Sequence, residues 1–385
     1  LNMRAGSKKY IICFFGTYEN GFPRTRTLKE ACRLKGYKVI ECHRPFWEKM
    51  KEKREVFSLS SVVSLGFRLM LIYISLAGRY FSLEAHDVVV VGYNGYFDMP
   101  LARLLTKIRK KTLIFTPVFP LYETMVEDRK YVDKASLKSK IIHRIDEISC
   151  RTADLIIIET ETYLRYYSEE FKVAKSKFFK IPLGADEKNF YLRPPKAQAL
   201  DSPVIKVLFY GKFIPLQGIS YIVRAAKLLE EDKEVEFKII GSGQLSEEIR
   251  RLSQELEMKN IDFIDWVNYK ELPEHILEAD ICLGIFGGTP KAQRGIPIKV
   301  YEALALKKPV ITGDTLAAGE VFTHKKNAVL CPVQNPEALA ESIILLKENK
   351  KLRENIAQAG FELYQRLFST EQIARQWEKG LNNYL

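Results

Sequence analysis

Histidine and cysteine are sparse in this chain, and the Asp-x-Asp pattern is missing, which excludes several chemistries. Five histidines are scattered through 385 residues, with no His-Glu-x-x-His or comparable cluster, so no zinc site is expected. The six cysteines, Cys13, Cys32, Cys42, Cys150, Cys282 and Cys331, form no Cys-x-x-Cys pair. Several lie in apolar runs, which fits free buried thiols in a reducing, cytoplasmic compartment better than a disulfide framework. No Asp-x-Asp occurs, so a two-carboxylate grip on a metal-bound diphosphate has no obvious residues. Leu1 to Lys9 is a polar lead-in without the charged-then-apolar order of a signal segment. The longest apolar stretch, Val62 to Phe81, is interrupted by Arg68 and Arg79 and contains Gly66 and Gly78. A spanning helix needs about 20 mostly apolar residues, so this stretch reads as a buried or interfacial helix. There is no low-complexity segment and no short repeat.

What is present is the composition of a soluble globular protein, 46% hydrophobic and 28% charged. At roughly 100–200 residues per domain, the length suggests two domains. The net charge of +12 is unevenly placed: residues 1–195 hold 35 Lys and Arg against 22 Asp and Glu, residues 196–385 hold 25 against 26. The basic half is expected to meet an acidic partner: anionic lipid, a phosphorylated acceptor or nucleic acid. No RNA-reading motif or basic stripe interleaved with aromatics is present, which disfavours nucleic acid. The expectation is a cytoplasmic protein, peripheral on an anionic membrane surface.

Strand-like runs alternate with helical patterns. Tyr10–Phe15, Lys38–Cys42, Val88–Val91, Thr112–Phe115 and Leu155–Ile158 read as strands, with helices over Thr27–Leu34 and Pro100–Ile108. A continuous Val run is typical of a parallel strand buried on both faces. Gly184–Pro203, with Pro194, Pro195 and Pro203, breaks the rhythm and reads as a linker. The pattern restarts with strands Val204–Tyr210, Val235–Ile240, Ile281–Ile285 and Pro309–Thr312, and helices dominate from Pro336 onward. The fold class is therefore α/β, two doubly wound Rossmann-like domains facing across a cleft. The expected division is an acceptor domain over 1–190, a donor domain over 204–367, and a C-terminal helix over 368–385 that could cross back to the first domain. Ligands of such sheets bind beyond the carboxyl ends of the strands.

In the second half, Val204–Tyr210 runs into Gly211-Lys212, and Gln217-Gly218 opens the next helix. Gly241-Ser242-Gly243 repeats the arrangement one strand later. Glycines let the backbone approach a ligand, lysine meets phosphate charge, and helix N-termini favour anions. Two such loops in one domain suit a diphosphate, although each alone is often only a tight turn. Pro297 suits the first position of a helix on which Lys299 and Glu302 share a face. A carboxylate there can accept hydrogen bonds from a vicinal diol. The pair could equally be a solvated salt bridge, and spacing alone leaves both open.

Lys291 through Thr312 resembles the donor-binding region of the family-four retaining glycosyltransferases (glycosyl transferases group 1), enzymes of the GT-B architecture whose signature is E-x7-E followed by A-x-A-x-G/K-K-P-V-I. The resemblance implies that Glu302, the second glutamate, binds the ribose, that Lys212 contacts the donor diphosphate and that Gly241 and Gly243 form its glycine turn. It further implies that the Trp266-Val267 loop holds the nucleotide base. Ile181 to Phe190 is similar to the family's P-x-G-x-D-x-x-x-F segment, and Asp280 to the acidic entry of its A-D-I/L strand. The resemblance covers roughly residues 150–370. It implies transfer of a hexose from a nucleotide-diphosphate sugar to a glycan or lipid-linked acceptor, with no metal and no further cofactor. A nucleotide-sugar 2-epimerase of the same fold and a non-catalytic nucleotide-sugar or nucleic-acid binder are the alternatives.

Three positions depart from the pattern, one being Thr116-Pro117, which offers no equivalent of the histidine often found after the family's fourth N-terminal strand. Arg294 stands where the first glutamate contacts the sugar, and Gln217 where a second diphosphate lysine is usual. A guanidinium only donates hydrogen bonds. The change therefore suggests an acidic sugar such as a uronic acid, or an Arg294 turned to the diphosphate. In the first half the loop after the first strand supplies Tyr18, Asn20, Arg24 and Arg26 as acceptor-site candidates, the arginines for an acceptor phosphate. The run from Pro117 to Arg129 should also reach the cleft.

Overall fold

A computed structural model describes residues 9–47, 59–193 and 203–385, with side chains of the first long helix from Gly66 onward. Pro194 and Pro195 of the expected linker, and nearly all of the polar lead-in, lie outside the described residues. The first half runs β1 (Ile11–Gly16), α1 (Pro23–Leu34), β2 (Lys38–His43), α2 (Leu59–Ser82), β3 (Val88–Val91), α3 (Met99–Arg109), β4 (Thr112–Phe115), α4 (Leu137–Thr152), β5 (Leu155–Ile158), α5 (Glu161–Glu170) and β6 (Phe178–Lys180). The second half opens with β7 (Ile205–Tyr210), α6 (Ile219–Leu228), β8 (Val235–Ile240), α7 (Ser246–Glu255), β9 (Ile261–Ile264), α8 (Leu272–Glu278) and β10 (Ile281–Leu283). It continues through α9 (Pro290–Arg294), α10 (Ile298–Ala305), β11 (Val310–Gly313), α11 (Leu316–Gly319), β12 (Val329–Cys331), α12 (Pro336–Glu348), α13 (Lys350–Leu367) and α14 (Thr370–Tyr384).

Each half forms one six-stranded sheet, in the orders β2-β1-β3-β4-β5-β6 and β12-β11-β10-β7-β8-β9. Every strand pairing within the two sheets is parallel. Alternation along the strands assigns each residue a face. Cys13, Phe15, Val89 and Val91 pack with Leu76 of α2 and with Met99 and Leu105 of α3. Ile12, Phe14, Val88 and Val90 pack instead with Leu28 of α1 and with Ile373 and Trp377 of α14. The last helix thus completes the core of the first sheet, where Lys35 and Glu378 form an ion pair at 2.7 Å. Burying a side chain such as Trp377 stabilises that docking by about 3 kcal/mol. All six cysteines are buried free thiols.

Helix starts follow local chemistry. Ser136, Thr289 and Asn335 accept a backbone N–H with their side chains at the starts of α4, α9 and α12. α1 begins at Pro23, four residues earlier than its apolar pattern suggests, because proline supplies the fixed φ of a first helical residue. Pro297 stands just before α10, as its N-cap. No helix among the described residues is long and apolar enough to cross a membrane.

Candidate functional site

The carboxyl ends of β7, β8 and β10 carry loops that interlock. Gly211 and Gly241 both have positive φ, and a Cβ on Gly241 would fall 1.9 Å from the Gly211 carbonyl oxygen. Gly218, at φ +66, precedes α6 as its N-cap, and a Cβ there would strike the Phe286–Gly287 backbone of the loop after β10. Glycine at these positions is what allows the loops to lie backbone against backbone. The amides of Gly241 and Gly243 are already used, donating to Ile264 O at 2.8 Å and to Ser246 Oγ at 2.7 Å. The two glycines therefore shape the site rather than offer donors. The N-terminus of α6 has no side-chain cap, so its first amides point outward at the end of the helix dipole.

Lys299 sits beneath these loops. It is buried, and its ammonium donates to Gln217 Oε1 at 2.5 Å and to Gly284 O at 3.3 Å. It also lies 3.7 Å from the centroid of the Phe209 ring. These three partners carry no formal charge. Burial pushes its pKa well down, opposed by Glu302 one turn along α10. Gln217, expected where a second lysine would face the diphosphate, instead anchors Lys299. Lys212 is exposed on the rim beside Gly211.

Glu302 is buried, not solvated, so the surface salt-bridge reading of the Lys299–Glu302 pair does not hold. Its carboxylate accepts from Tyr210 and from Tyr269, each at 3.1 Å. Burial pushes its pKa up to about 7, with the two phenols opposing. Tyr269, which the sequence reading missed, is the outer of the two phenols. Arg26 of the first domain lies 4.9 Å from its ring centroid and pairs with Asp186 at 3.2 Å. The structure therefore brings Arg26, Tyr269 and Glu302 into one column across the cleft. Trp266 stands 74% exposed after β9, while Val267 packs against the core.

Two acceptor-site candidates are corrected. Tyr18 is fully buried, bonding to Glu41 at 3.0 Å and accepting from Lys29 at 3.2 Å. Arg24 is also buried and donates to the carbonyls of Ile181 and Pro182 at 2.6 and 2.9 Å. Burial lowers its pKa to about 10 while Glu159 opposes the shift. Arg24 occupies the second residue of α1, where the Ile181 and Pro182 carbonyls take up its guanidinium and leave it buried. Asn20 is exposed and accepts from Lys29 at 2.6 Å.

Arg294 is turned toward the first domain. Its guanidinium crosses to the first domain, 2.6 Å from Glu123 and 3.3 Å from Glu127, and lies 3.7 Å from the Tyr166 ring centroid. Two carboxylates pair with it there, partners that the expected contact with sugar or diphosphate did not include. Those carboxylates belong to a π-helical turn, Glu123–Asp128, within the run expected to reach the cleft. Beside them Lys291 donates to Thr124 at 2.8 Å and Thr289 to Asp128 at 3.2 Å. Asp146 of α4 pins the entry to this turn, accepting from the amides of Leu121 and Tyr122 at 3.0 and 2.7 Å. Among the described residues, no three His, Cys, Asp or Glu side chains gather as a metal-ligand set.

Two parallel doubly wound domains, closed over a cleft at their strand ends and joined by a returning last helix, are the GT-B architecture. Residues 194–363 match the family described as glycosyl transferases group 1. An uncharacterized glycosyltransferase of Methanocaldococcus jannaschii is 27% identical over 164 residues, 43% of this chain and 44% of that protein. The chain spans less than two thirds of the first curated relatives it matches, 44% and 62% for the first two. Over the whole fold it resembles sucrose-phosphate synthase of Thermosynechococcus elongatus, with a TM-score of 0.74 at 18% identity, covering 97% of this chain and 99% of that one. It also resembles the Anabaena protein HepE solved with UDP, at 0.69 and 14%, covering 98% and 100%.

Proposed function

We propose that the chain is a retaining glycosyltransferase that moves a hexose from a nucleotide-diphosphate sugar to a glycan or lipid-linked acceptor. The observation that carries this reading is Lys299: a buried ammonium with neutral partners, under an uncapped helix N-terminus and one turn from a buried carboxylate. Such a cation gains most from an anion placed beside it. A donor diphosphate over the Gly211–Gly218 loop would meet Lys299, Lys212 and the α6 N-terminus, and its ribose would meet Glu302 after exchange with Tyr269. The same charges would stabilise the departing diphosphate in the transition state, a fixed electrostatic contribution that needs no bound cation. The acceptor would enter from the first domain, past Arg26 and Asn20. The solved Anabaena neighbour makes UDP the first nucleotide carrier to try. The basic first domain would hold the enzyme against an anionic membrane on its cytoplasmic side.

The test is a thermal-shift screen of nucleotide-diphosphate sugars, followed by assay of the responding donor with and without excess EDTA. A bound donor at 100 times its Kd raises stability by about 2.7 kcal/mol. Glu302→Ala should lose transfer while keeping its circular dichroism. Normal transfer by that variant, or activity lost to EDTA and restored by magnesium, would overturn the assignment. The anomeric configuration of the product, read by proton NMR, checks retention.

A further inference from the structure

Three helices of the first domain lie side by side on one face of its sheet, and each is apolar on the side turned away from that sheet. On α2, Phe67, Met70, Leu71 and Ile74 are all exposed, Ile74 by 64%, at the i, i+3, i+4, i+7 spacing of a single stripe. The opposite side of α2 is buried through Leu76 and Tyr80, so this helix is apolar on two faces while only one is covered. On α3, Leu104 and Ile108 are each 58% exposed, one turn apart. On α4, Leu137, Ile141 and Ile148 continue the pattern, Leu137 at 73%. Scattered exposed apolar residues are ordinary, whereas aligned stripes on three neighbouring helices make a patch.

The charge around the stripes selects the occupant. The three helices carry nine Lys and Arg against two acidic residues. One of those acids, Asp146, is buried beneath the loop it pins, and the other, Glu147, is paired with Arg144 and Arg151. A second copy of this face would set like charges opposite one another. A nucleic acid would satisfy the cations and leave the apolar stripes in water. A surface with anionic heads over an apolar interior satisfies both, and the length of α2, 24 residues, suits a helix lying in that interface.

We propose that the outer face of α2, α3 and α4 is the docking surface for an anionic phospholipid bilayer, with the apolar stripes entering the acyl boundary and the flanking lysines and arginines meeting the head groups. This inference rests on the proposed membrane contact of the first domain and is independent of the transfer chemistry. It assigns the contact to one face, away from the cleft, which leaves the cleft open while the protein is bound.

The full chain is sedimented with vesicles of phosphatidylcholine, with and without phosphatidylglycerol, and compared with Ile74→Glu, Leu137→Glu and a Lys107→Gln/Lys140→Gln variant. All four positions are exposed, so circular dichroism and the nucleotide-sugar thermal shift should be unchanged. Each carboxylate variant should need at least about tenfold more lipid for half-binding, since it places a charge among acyl chains. The double glutamine variant should lose affinity for the anionic vesicles only. Binding by the carboxylate variants equal to that of the original protein would overturn the choice of face while leaving membrane contact standing. No binding of the original protein to either vesicle would overturn both. Sedimentation velocity showing a dimer that Ile74→Glu dissociates, with vesicle binding unchanged, would assign the face to self-association and also overturn the proposal.

Discussion

Burial sets the chemistry of the candidate site residue by residue. Glu302 has its pKa pushed from an ordinary 4.5 to about 7, so the folded protein without donor retains a proton there that an unfolded chain has lost. The stability linked to that group is present below about pH 4.5 and is lost as pH rises toward 7. Donor binding runs the other way, because only the ionised carboxylate can accept from both hydroxyls of a ribose. Affinity for a nucleotide-diphosphate sugar, which has no proton of its own to lose in this range, is expected to rise with pH by up to about tenfold per unit below 7, then level off. Isothermal titration between about pH 5.5 and 8 checks this, with Glu302→Gln weak and flat across the series. An affinity independent of pH in the original protein would place Glu302 away from the diol.

At the scale of elements, long runs were legible and short or buried features were not. The Val88–Val91 run and the Gly211 and Gly241 turns show in the sequence because parallel strands are apolar throughout and tight βα turns need glycine. Two pieces that bring the halves together, the π-helical turn Glu123–Asp128 and the five-residue α9, are too short to express a period. Tyr18 and Arg24 read as cleft residues in the sequence because a loop after a first strand should face it. No sequence pattern reveals that Arg24 finds carbonyl partners under α1. The glycine turns themselves are open to test. Gly241→Ala would set a Cβ 1.9 Å from the Gly211 carbonyl oxygen at a φ of +141°. The loop must shift, so donor affinity should fall at least about tenfold, while stability drops by about 1–3 kcal/mol. Titration of the donor alongside urea unfolding separates the two effects. An unchanged donor affinity would show that the contact of the two loops is irrelevant to binding.

At the scale of the whole molecule, Arg294 is the departure from the family pattern that matters most, and its role is readable only from the far side of the cleft. Glu123 is fully buried, accepts from Tyr163 at 2.8 Å and pairs with Arg294 at 2.6 Å. Burial pushes its pKa up even with Lys291 and Arg294 nearby, so this carboxylate depends on its cations when the two domains are closed. Opening the cleft would rehydrate both partners. The pair therefore contributes to closure only by what its hydrogen bonds gain over water, and removing one partner alone is worse than removing both. Arg294→Met should shift the balance toward the open form by about 2 kcal/mol, roughly thirtyfold, because it strands Glu123 in the closed state. Glu123→Gln alone should cost less, because Arg294 keeps Glu127 at 3.3 Å. The double variant should recover part of the loss, leaving a coupling energy of about 1 kcal/mol or more. Small-angle scattering reads the closure directly, and transfer rate at saturating donor reads its consequence. Strictly additive effects of the two substitutions on both would mean that Arg294 and Glu123 do not act as a pair in solution. A variant lacking Arg294 that still closes, yet loses affinity for the bare nucleoside diphosphate, would return the residue to the donor site.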